Sequence, residues 1–403
     1  MRCETAPHAT SPPEEPAAMF TQFVVKLYSR CNFGCPDCYV YEHRDRGWRA
    51  EPLIMSPATM RRLCVRIAEH LRRHRPERAQ VALHGGEPLL AGPLAVERFA
   101  RGLRDETEGL PTQVDLLVQT NASLLDRAFL DVFRRYGITV GVSVDGTPES
   151  HDRRRPDRGG EGTYAEVARA LSLLRTPRHR PLYRGLLCVI DIEADPVATY
   201  EALLEHEPPA VDLLLPLATW QFPPHRPPGA GDAPYGRWLA AMFDRWFDAA
   251  RRETSVRLFD SLLDVQLGGT SSSEMWGQYG ADVVVIQPSG LIEYNDVLKT
   301  VSSLAGRSPL HIAAHDFDHA AADPGFAAER AGLAGLCGQC RSCPVVDICG
   351  GGLRAHRHRP DNGFDNPSCY CPDLRFLIDH ARKRLTKGVI SLRARLDRKG
   401  MSA

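Results

Sequence analysis

The chain has 403 residues, 43% of them hydrophobic, and its 50 basic and 50 acidic side chains cancel to a formal charge of zero. That length and apolar content suit two packed domains, and the charge balance removes the overall electrostatic case for nucleic acid. No apolar run reaches the length of a signal-peptide core or a membrane span, which points to a cytoplasmic protein with neither membrane nor nucleic acid as partner. In a reducing compartment the 12 cysteines read as metal ligands before disulfides, because nine of them fall into two clusters.

Residues 1–18 carry Pro7, Pro12, Pro13 and Pro16 with no apolar period, and are expected to be disordered. Apolar runs of strand length then recur at 20–28, 80–83, 113–119, 138–144, 183–190 and 211–215. Amphipathic helical stretches separate them, the clearest opening at Ser56 and Pro57, a capping residue followed by a first-turn proline. Strands alternating with helices predict parallel βαβ units, whose ligands sit at the C-terminal strand ends.

The loops of interest fall at those ends. After the first strand come Cys31, Cys35 and Cys38 in C-x3-C-x2-C spacing. Three thiolates can hold three irons of a four-iron cubane and leave the fourth open; a structural zinc loop completed by His43 is the competing reading. After the second strand, HGGEP at 84–88 offers two glycines that let backbone approach a ligand and a carboxylate on Glu87, although the same residues make an ordinary turn. The third strand ends at Asn121. The fourth ends at Ser143 and Asp145, a hydroxyl and a carboxylate where a ribose would be held. His151, Asp152, Arg153, Arg154 and Arg155 follow, readable as a solvated charge run or as a ligand contact.

Residues 218–280 form a bridging region with a proline-rich stretch at 223–234 and an amphipathic helix expected over 235–252. Its Trp238, Phe243, Trp246 and Phe247 recur at helical spacing and predict core packing. A second cysteine-rich unit spans 281–385, with Cys337, Cys340, Cys343, Cys349, Cys369 and Cys371 around a triple-glycine turn at 350–352. Zinc and an iron-sulfur centre both suit such C-x2-C pairs. Cys3, Cys64 and Cys188 are expected to be unliganded, the last two as small core residues. The tail 386–403 is basic: the last 22 residues hold eight cations and one anion, a solvated face or a dock for an acidic leader peptide.

Taken in order, the strand-end motifs resemble the radical S-adenosylmethionine (SAM) enzymes over about residues 20–217. The resemblance implies an α/β fold, a partial (β/α)6 barrel over 19–217, with Cys31, Cys35 and Cys38 ligating a [4Fe-4S] cluster whose open iron takes the amino and carboxylate groups of S-adenosyl-L-methionine. It further implies that Gly85, Gly86 and Glu87 contact the methionyl amino group, that Asn121, Ser143 and Asp145 line the nucleoside side, and that Tyr39 stacks beside it. Asp37 departs from the family, which has an aromatic residue before the third cysteine.

The C-terminal cysteines resemble a SPASM domain, the irregular auxiliary-cluster module of radical peptide maturases. Two of its cysteine positions are here Asn295 and Leu353, so the resemblance implies one auxiliary [4Fe-4S] cluster on Cys340, Cys343, Cys349 and Cys371, with Cys337 and Cys369 as spare thiols or alternate ligands. CYVY at 38–41, HGGEP at 84–88, IEYNDVLK at 292–299, CPVVDICGGG at 343–352 and GFDNPS at 363–368 are similar to the FxsB-type maturases, which form three-residue cyclophanes. That family implies a ribosomal precursor peptide as substrate, a flavodoxin or ferredoxin as electron donor, hydrogen abstraction from a β-carbon and closure onto an aromatic ring. Asp296 is the implied proton acceptor, with a plain turn aspartate as the alternative. Thioether formation, epimerisation, sulfatase-type oxidation and a non-catalytic iron-sulfur carrier are the other functions open to the sequence.

Overall fold

The computed structural model describes residues 19–277, 282–302 and 305–400; the segment 1–18, expected to be disordered, lies outside the described residues. The six expected strands form as β1 (Gln22–Tyr28), β2 (Arg78–Gly85), β3 (Gln113–Thr120), β4 (Ile138–Ser143), β5 (Tyr183–Val189) and β6 (Ala210–Leu214). They lie side by side in chain order and all run parallel. β2 is longer than its apolar run suggested. Pairing of Arg78 with Gln113 and of Gly85 with Tyr28 draws polar and glycine residues into the ladder at both ends.

Local chemistry explains the intervening helices. Ser56 caps the helix Pro57–His74 by accepting the Thr59 N–H at 3.1 Å, and Arg75 closes it in the left-handed conformation. Along β1, alternate residues take opposite faces. Phe23, Val25 and Leu27 are fully buried, with Phe23 packing edge-on to Phe317 and His70, whereas Val24 and Lys26 face the barrel interior.

The sheet continues past the six strands. β7 (Ser255–Val256) adds to β6, and a hairpin of β8 (Val283–Ile286) and β9 (Leu291–Glu293) followed by β10 (Arg307–His311) adds at the other edge. β8 pairs parallel with β1 from Gln22↔Val283 to Val25↔Ile286. One ten-stranded sheet therefore crosses the boundary expected at residue 281.

The aromatic stripe lies on the helix Pro234–Phe247, shorter than the expected 235–252. Trp238, Phe243 and Trp246 are buried and Phe247 stacks on Phe243. Against this helix packs the C-terminal helix Cys371–Gly400, through His380 Nε2 and Asp244 Oδ1 at 2.8 Å and the Gly236 N–H donated to Asp373 Oδ1 at 3.0 Å. The basic tail continues that helix to Gly400. Cys64 and Cys188 are buried in the main core. Among the described residues no helix is long and apolar enough to cross a membrane.

Candidate active site and auxiliary cysteine cluster

A cavity of about 820 Å³ opens at the C-terminal ends of the strands. Its lining includes the polar Cys31, Cys35, Cys38, Gln119, Asn121, Ser143 and Arg155 and the apolar Leu215, Leu258, Met275, Val285 and Leu353. The cysteine loop is held from several sides. Arg158 Nε donates to the Cys31 carbonyl at 2.7 Å, and Gly34 N donates to the Pro156 carbonyl at 2.8 Å. Burial pushes the Cys31 thiol up to about 12 and Cys35 up to about 11, so ionisation needs a compensating cation. Cys31 Sγ already accepts the Phe33 N–H at 3.4 Å and lies 3.8 Å from Asn121 Nδ2. Donors aimed at sulfur favour a thiolate, and three such thiols facing one cavity fit a metal-sulfur cluster.

The HGGEP turn lines the cavity with Gly85, Gly86 and Glu87. Glu87 is buried, and its Oε1 accepts from Thr120 Oγ1 at 2.6 Å and Leu89 N at 2.9 Å, while Oε2 accepts from Asn121 N at 2.8 Å. Its carboxylate ties the end of β2 to the end of β3, while the residue still lines the cavity together with Gly85 and Gly86. Burial outweighs the three donors and raises its pKa to about 7. The glycines serve the same packing. A Cβ on Gly86 would lie 1.9 Å from Tyr41 Oη and 2.2 Å from the Arg30 carbonyl, so only glycine lets this turn sit against the cysteine loop.

Asp145 is likewise engaged. Arg155 approaches with Nε 2.8 Å from Oδ2 and Nη2 3.1 Å from Oδ1, and Val189 N donates to Oδ1 at 2.9 Å. This bidentate ion pair fixes Asp145 at the cavity wall, where Ser143 also lies. Ser143 Oγ accepts from Gln119 Nε2 at 3.0 Å. Asn121 uses its amide to hold Asn32 Oδ1 at 3.0 Å and its carbonyl to receive Ser123 N and Oγ. Tyr39 lines the cavity beside Asp296.

Asp296 opens into the same cavity. Lys26 Nζ lies 2.6 Å from Oδ2 and Lys299 Nζ 3.4 Å from Oδ1, and these two ammonium groups hold the carboxyl well below the usual carboxylate range against the effect of burial. Asn295, at one lost cysteine position, caps the short helix Asp296–Thr300 by accepting the Val297 N–H at 3.2 Å. The hairpin therefore keeps a defined shape without a metal ligand. Leu353, at the other lost position, lines the cavity too.

The C-terminal thiols form a group of their own that lines no part of this cavity. Cys337, Cys340, Cys343, Cys349 and Cys371 are electrostatic neighbours of one another, whereas Cys369 has Arg226 and Asp373 as its charged neighbours. Burial and the adjacent Cys337 push Cys340 up to about 12. Gly350 ends the helix Val346–Cys349 at φ 61°, and a Cβ there would fall 1.7 Å from the Gly277 carbonyl. Arg357 is buried beside three of these thiols, and its Nε has no hydrogen-bond partner. An orphaned cationic donor facing thiols fits a negatively charged metal-thiolate centre.

Comparison with known proteins agrees with this layout. Residues 25–178 match the family model described as the radical SAM superfamily. Residues 25–178 are a radical SAM domain. Among curated relatives, the serine-type anaerobic sulfatase-maturating enzyme of Bacteroides thetaiotaomicron is 25% identical over 262 residues, 59% of this chain and 60% of that protein. The cysteine-type enzyme of Clostridium perfringens is 25% identical over 252 residues, 61% of this chain and 65% of that protein. The matched stretch thus spans less than two thirds of either relative. A structure of native anSMEcpe with bound AdoMet superposes with a TM-score of 0.77 at 22% identity, covering 92% of this chain and 99% of that one. Streptococcus suis SuiB bound to its precursor peptide SuiA gives 0.57 at 13% identity, covering 88% and 76%. These likenesses show the fold: a radical SAM domain followed by a cysteine-bearing C-terminal extension.

Within the radical SAM domain, the sequence assigned no site role to Lys26, which pairs with Asp296 at the cavity, or to the His84 side chain, which lines it, and left Arg155 open between a solvated charge run and a ligand contact. Arg155 had a signal, the cationic run 153–155. The structure splits that run: Arg153 pairs with Asp191, Arg154 lies between Asp37 at 3.2 Å and Asp145 at 3.8 Å, and Arg155 faces the thiols. Outside the site, His70, His74 and Asp318 bring three ligand-type atoms within 4.8 Å of one another. There the Phe20 N–H donates to His70 Nε2, so the ring proton sits on Nδ1 and is donated to Asp318; the trio is a hydrogen-bond knot.

Proposed function

We propose that this protein is a radical SAM peptide maturase that joins an aromatic ring to the β-carbon of a nearby residue in a ribosomally made precursor peptide, as the FxsB-type resemblance implies. The observation that carries this reading is a single cavity of about 820 Å³ lined by the three-cysteine loop, by Asp296 with its paired lysine ammonium groups behind it, and by apolar side chains. Cys31, Cys35 and Cys38 would hold a [4Fe-4S] cluster with an open iron, and Cys340, Cys343, Cys349 and Cys371 an auxiliary one. Bound together, cluster and S-adenosylmethionine supply a 5'-deoxyadenosyl radical able to take hydrogen from an unactivated carbon, and the auxiliary cluster supplies an electron acceptor.

The chain's own residues do the rest. Arg155, fixed by its bidentate pair with Asp145, places a buried guanidinium beside Cys35 and steadies the polar wall of the cavity. The Gly85–Gly86 turn brings backbone close to the thiols while Glu87 locks it to β3. Asp296, kept ionised by Lys26 and Lys299, is a permanent acceptor. Its weak basicity suffices for the acidic proton of a ring that has just gained a substituent. Leu258, Met275 and Leu353 give the cavity an apolar wall against which apolar side chains would exclude water. A flavodoxin or ferredoxin would provide electrons.

Anaerobic incubation of the reconstituted protein with reductant and S-adenosylmethionine tests the radical chemistry, with 5'-deoxyadenosine as the expected product and its absence as the refutation. Co-expression with a short peptide encoded beside the gene tests the product. A loss of about two mass units, two hydrogens, with a ring to β-carbon bond is expected. The curated relatives favour a second reading, oxidation of a serine or cysteine side chain in a sulfatase. That product carries an aldehyde and reacts with carbonyl probes, which a cyclophane does not.

A further inference from the structure

We infer that Arg357 is the built-in counter-charge of the auxiliary cluster and raises its affinity for an electron. The inference rests on the auxiliary-cluster reading above and extends it to a residue outside the thiol set. Arg357 sits in the short 3-10 helix Arg354–Arg357, between the triple-glycine turn and the C-terminal helix, and only 9% of its surface is exposed. A guanidinium stays charged at any working pH, and burying one without a counter-charge costs several kcal/mol.

The expected partner is missing from the protein groups around it. Among the described residues no carboxylate lies within 4 Å of Arg357; Nη1 donates to the Gly335 carbonyl at 3.2 Å, and Nε is buried with no partner. Its charged surroundings are Arg354 and the thiols of Cys340, Cys337 and Cys349. Arg354 cannot compensate it, being a cation itself, and has its own neighbours in Glu329 and the Phe364 ring at 4.4 Å. The remaining source of negative charge is the thiol group. Four thiolates around a [4Fe-4S] core carry a net negative charge that grows by one on reduction, so a nearby buried cation stabilises the reduced form more than the oxidised one. Hydrogen bonds to cluster sulfurs act in the same direction, and Nε is free to make one.

This has a functional sense. In the proposed reaction the modified peptide gives up one electron and one proton. The electron passes to the auxiliary cluster and onward to a carrier of the ferredoxin or flavodoxin class. A cluster whose electron affinity is raised by Arg357 is the better acceptor for that electron, while the barrel cluster has Arg155 already neutralised by Asp145.

The test uses the full chain with Cys31, Cys35 and Cys38 changed to alanine, so that any iron-sulfur signal comes from the C-terminal thiols. Iron and sulfide content and an electron-paramagnetic-resonance redox titration are compared for this protein, its Arg357→Met variant and its Arg357→Lys variant. The expectation is about four irons in all three. The equilibrium constant for reduction should fall at least tenfold in Arg357→Met, which is about 59 mV for a one-electron couple, and by less in Arg357→Lys, which keeps the charge. Equal midpoints in all three variants would overturn the inference. If Arg357→Met fails to hold iron, the neutral Arg357→Gln takes its place: a reduction constant at least tenfold below that of the parent supports the charge, and a parent-like midpoint, or loss of iron there as well, refutes it. No iron even in the Arg357 parent would instead overturn the auxiliary-cluster reading itself.

Discussion

The two cysteine sites of this molecule are built to opposite plans. In the barrel, three thiols stand at the edge of a large cavity, and the strand ends around them supply a guanidinium, backbone and a carboxylate. In the C-terminal unit, five thiols close on one another beside a buried arginine and line no part of that cavity. The difference teaches which site meets substrate. An incomplete ligand set facing a cavity can bind a further molecule; a surplus of thiols outside it can store charge without meeting what the cavity binds.

The comparison is broken most severely by replacing Cys31, Cys35 and Cys38 with alanine. All 5'-deoxyadenosine formation should vanish while about four irons remain on the C-terminal thiols, measured by product chromatography and iron assay. The opposite change, Cys349→Ala, should leave S-adenosylmethionine cleavage running while the crosslinked peptide disappears, so that the ratio of 5'-deoxyadenosine to product climbs. Asp296→Asn separates the cavity's proton acceptor from its radical source. Product formation should fall on the order of 10²–10⁴-fold with cleavage retained. Because Lys26 and Lys299 hold Asp296 ionised, the native rate should show no acid limb from that group near neutral pH.

Smaller effects sharpen the structural side. Glu87→Gln sets an amide against buried donors and should cost about 1–3 kcal/mol in chemical denaturation. The native carboxyl binds its proton more tightly folded, about 7 against 4.5, so it makes stability fall as pH rises through that window; the variant should lack this fall. The smallest effect is expected of Cys369→Ala. With Arg226 and Asp373 as its charged neighbours in place of other thiols, it should retain full iron content and product yield.

Much of the barrel was legible because its rules are local. Strand-length apolar runs, the Ser56–Pro57 cap and the thiol spacing each encode their outcome within a few residues. The protein partners of the carboxylates were not legible, for the opposite reason. Glu87 and Asp145 stand at strand ends where a ligand contact is expected, but their partners Thr120, Asn121, Arg155 and Val189 come from neighbouring strands and loops, and only the folded sheet shows that they are taken. Lys26 and Lys299, two of only five lysines, lie 273 positions apart by their numbering and meet at Asp296 through the parallel pairing of β1 with β8. No periodicity announces such a meeting. Asn295 and Leu353 were visible as substitutions, whereas the capping of Asp296–Thr300 by Asn295 was not.

The same β1–β8 pairing has a consequence for anyone who cuts this chain. Strand β1 carries the cysteine loop at one end, and its outer side is covered from Gln22 to Val25 by a strand supplied some 260 residues later. Removing the C-terminal unit would leave that backbone unpaired beside Val24 and Val25, an apolar edge ready to recruit another chain. A truncated barrel should therefore aggregate, and a two-piece version should regain solubility only when the β8–β9 hairpin is returned to it.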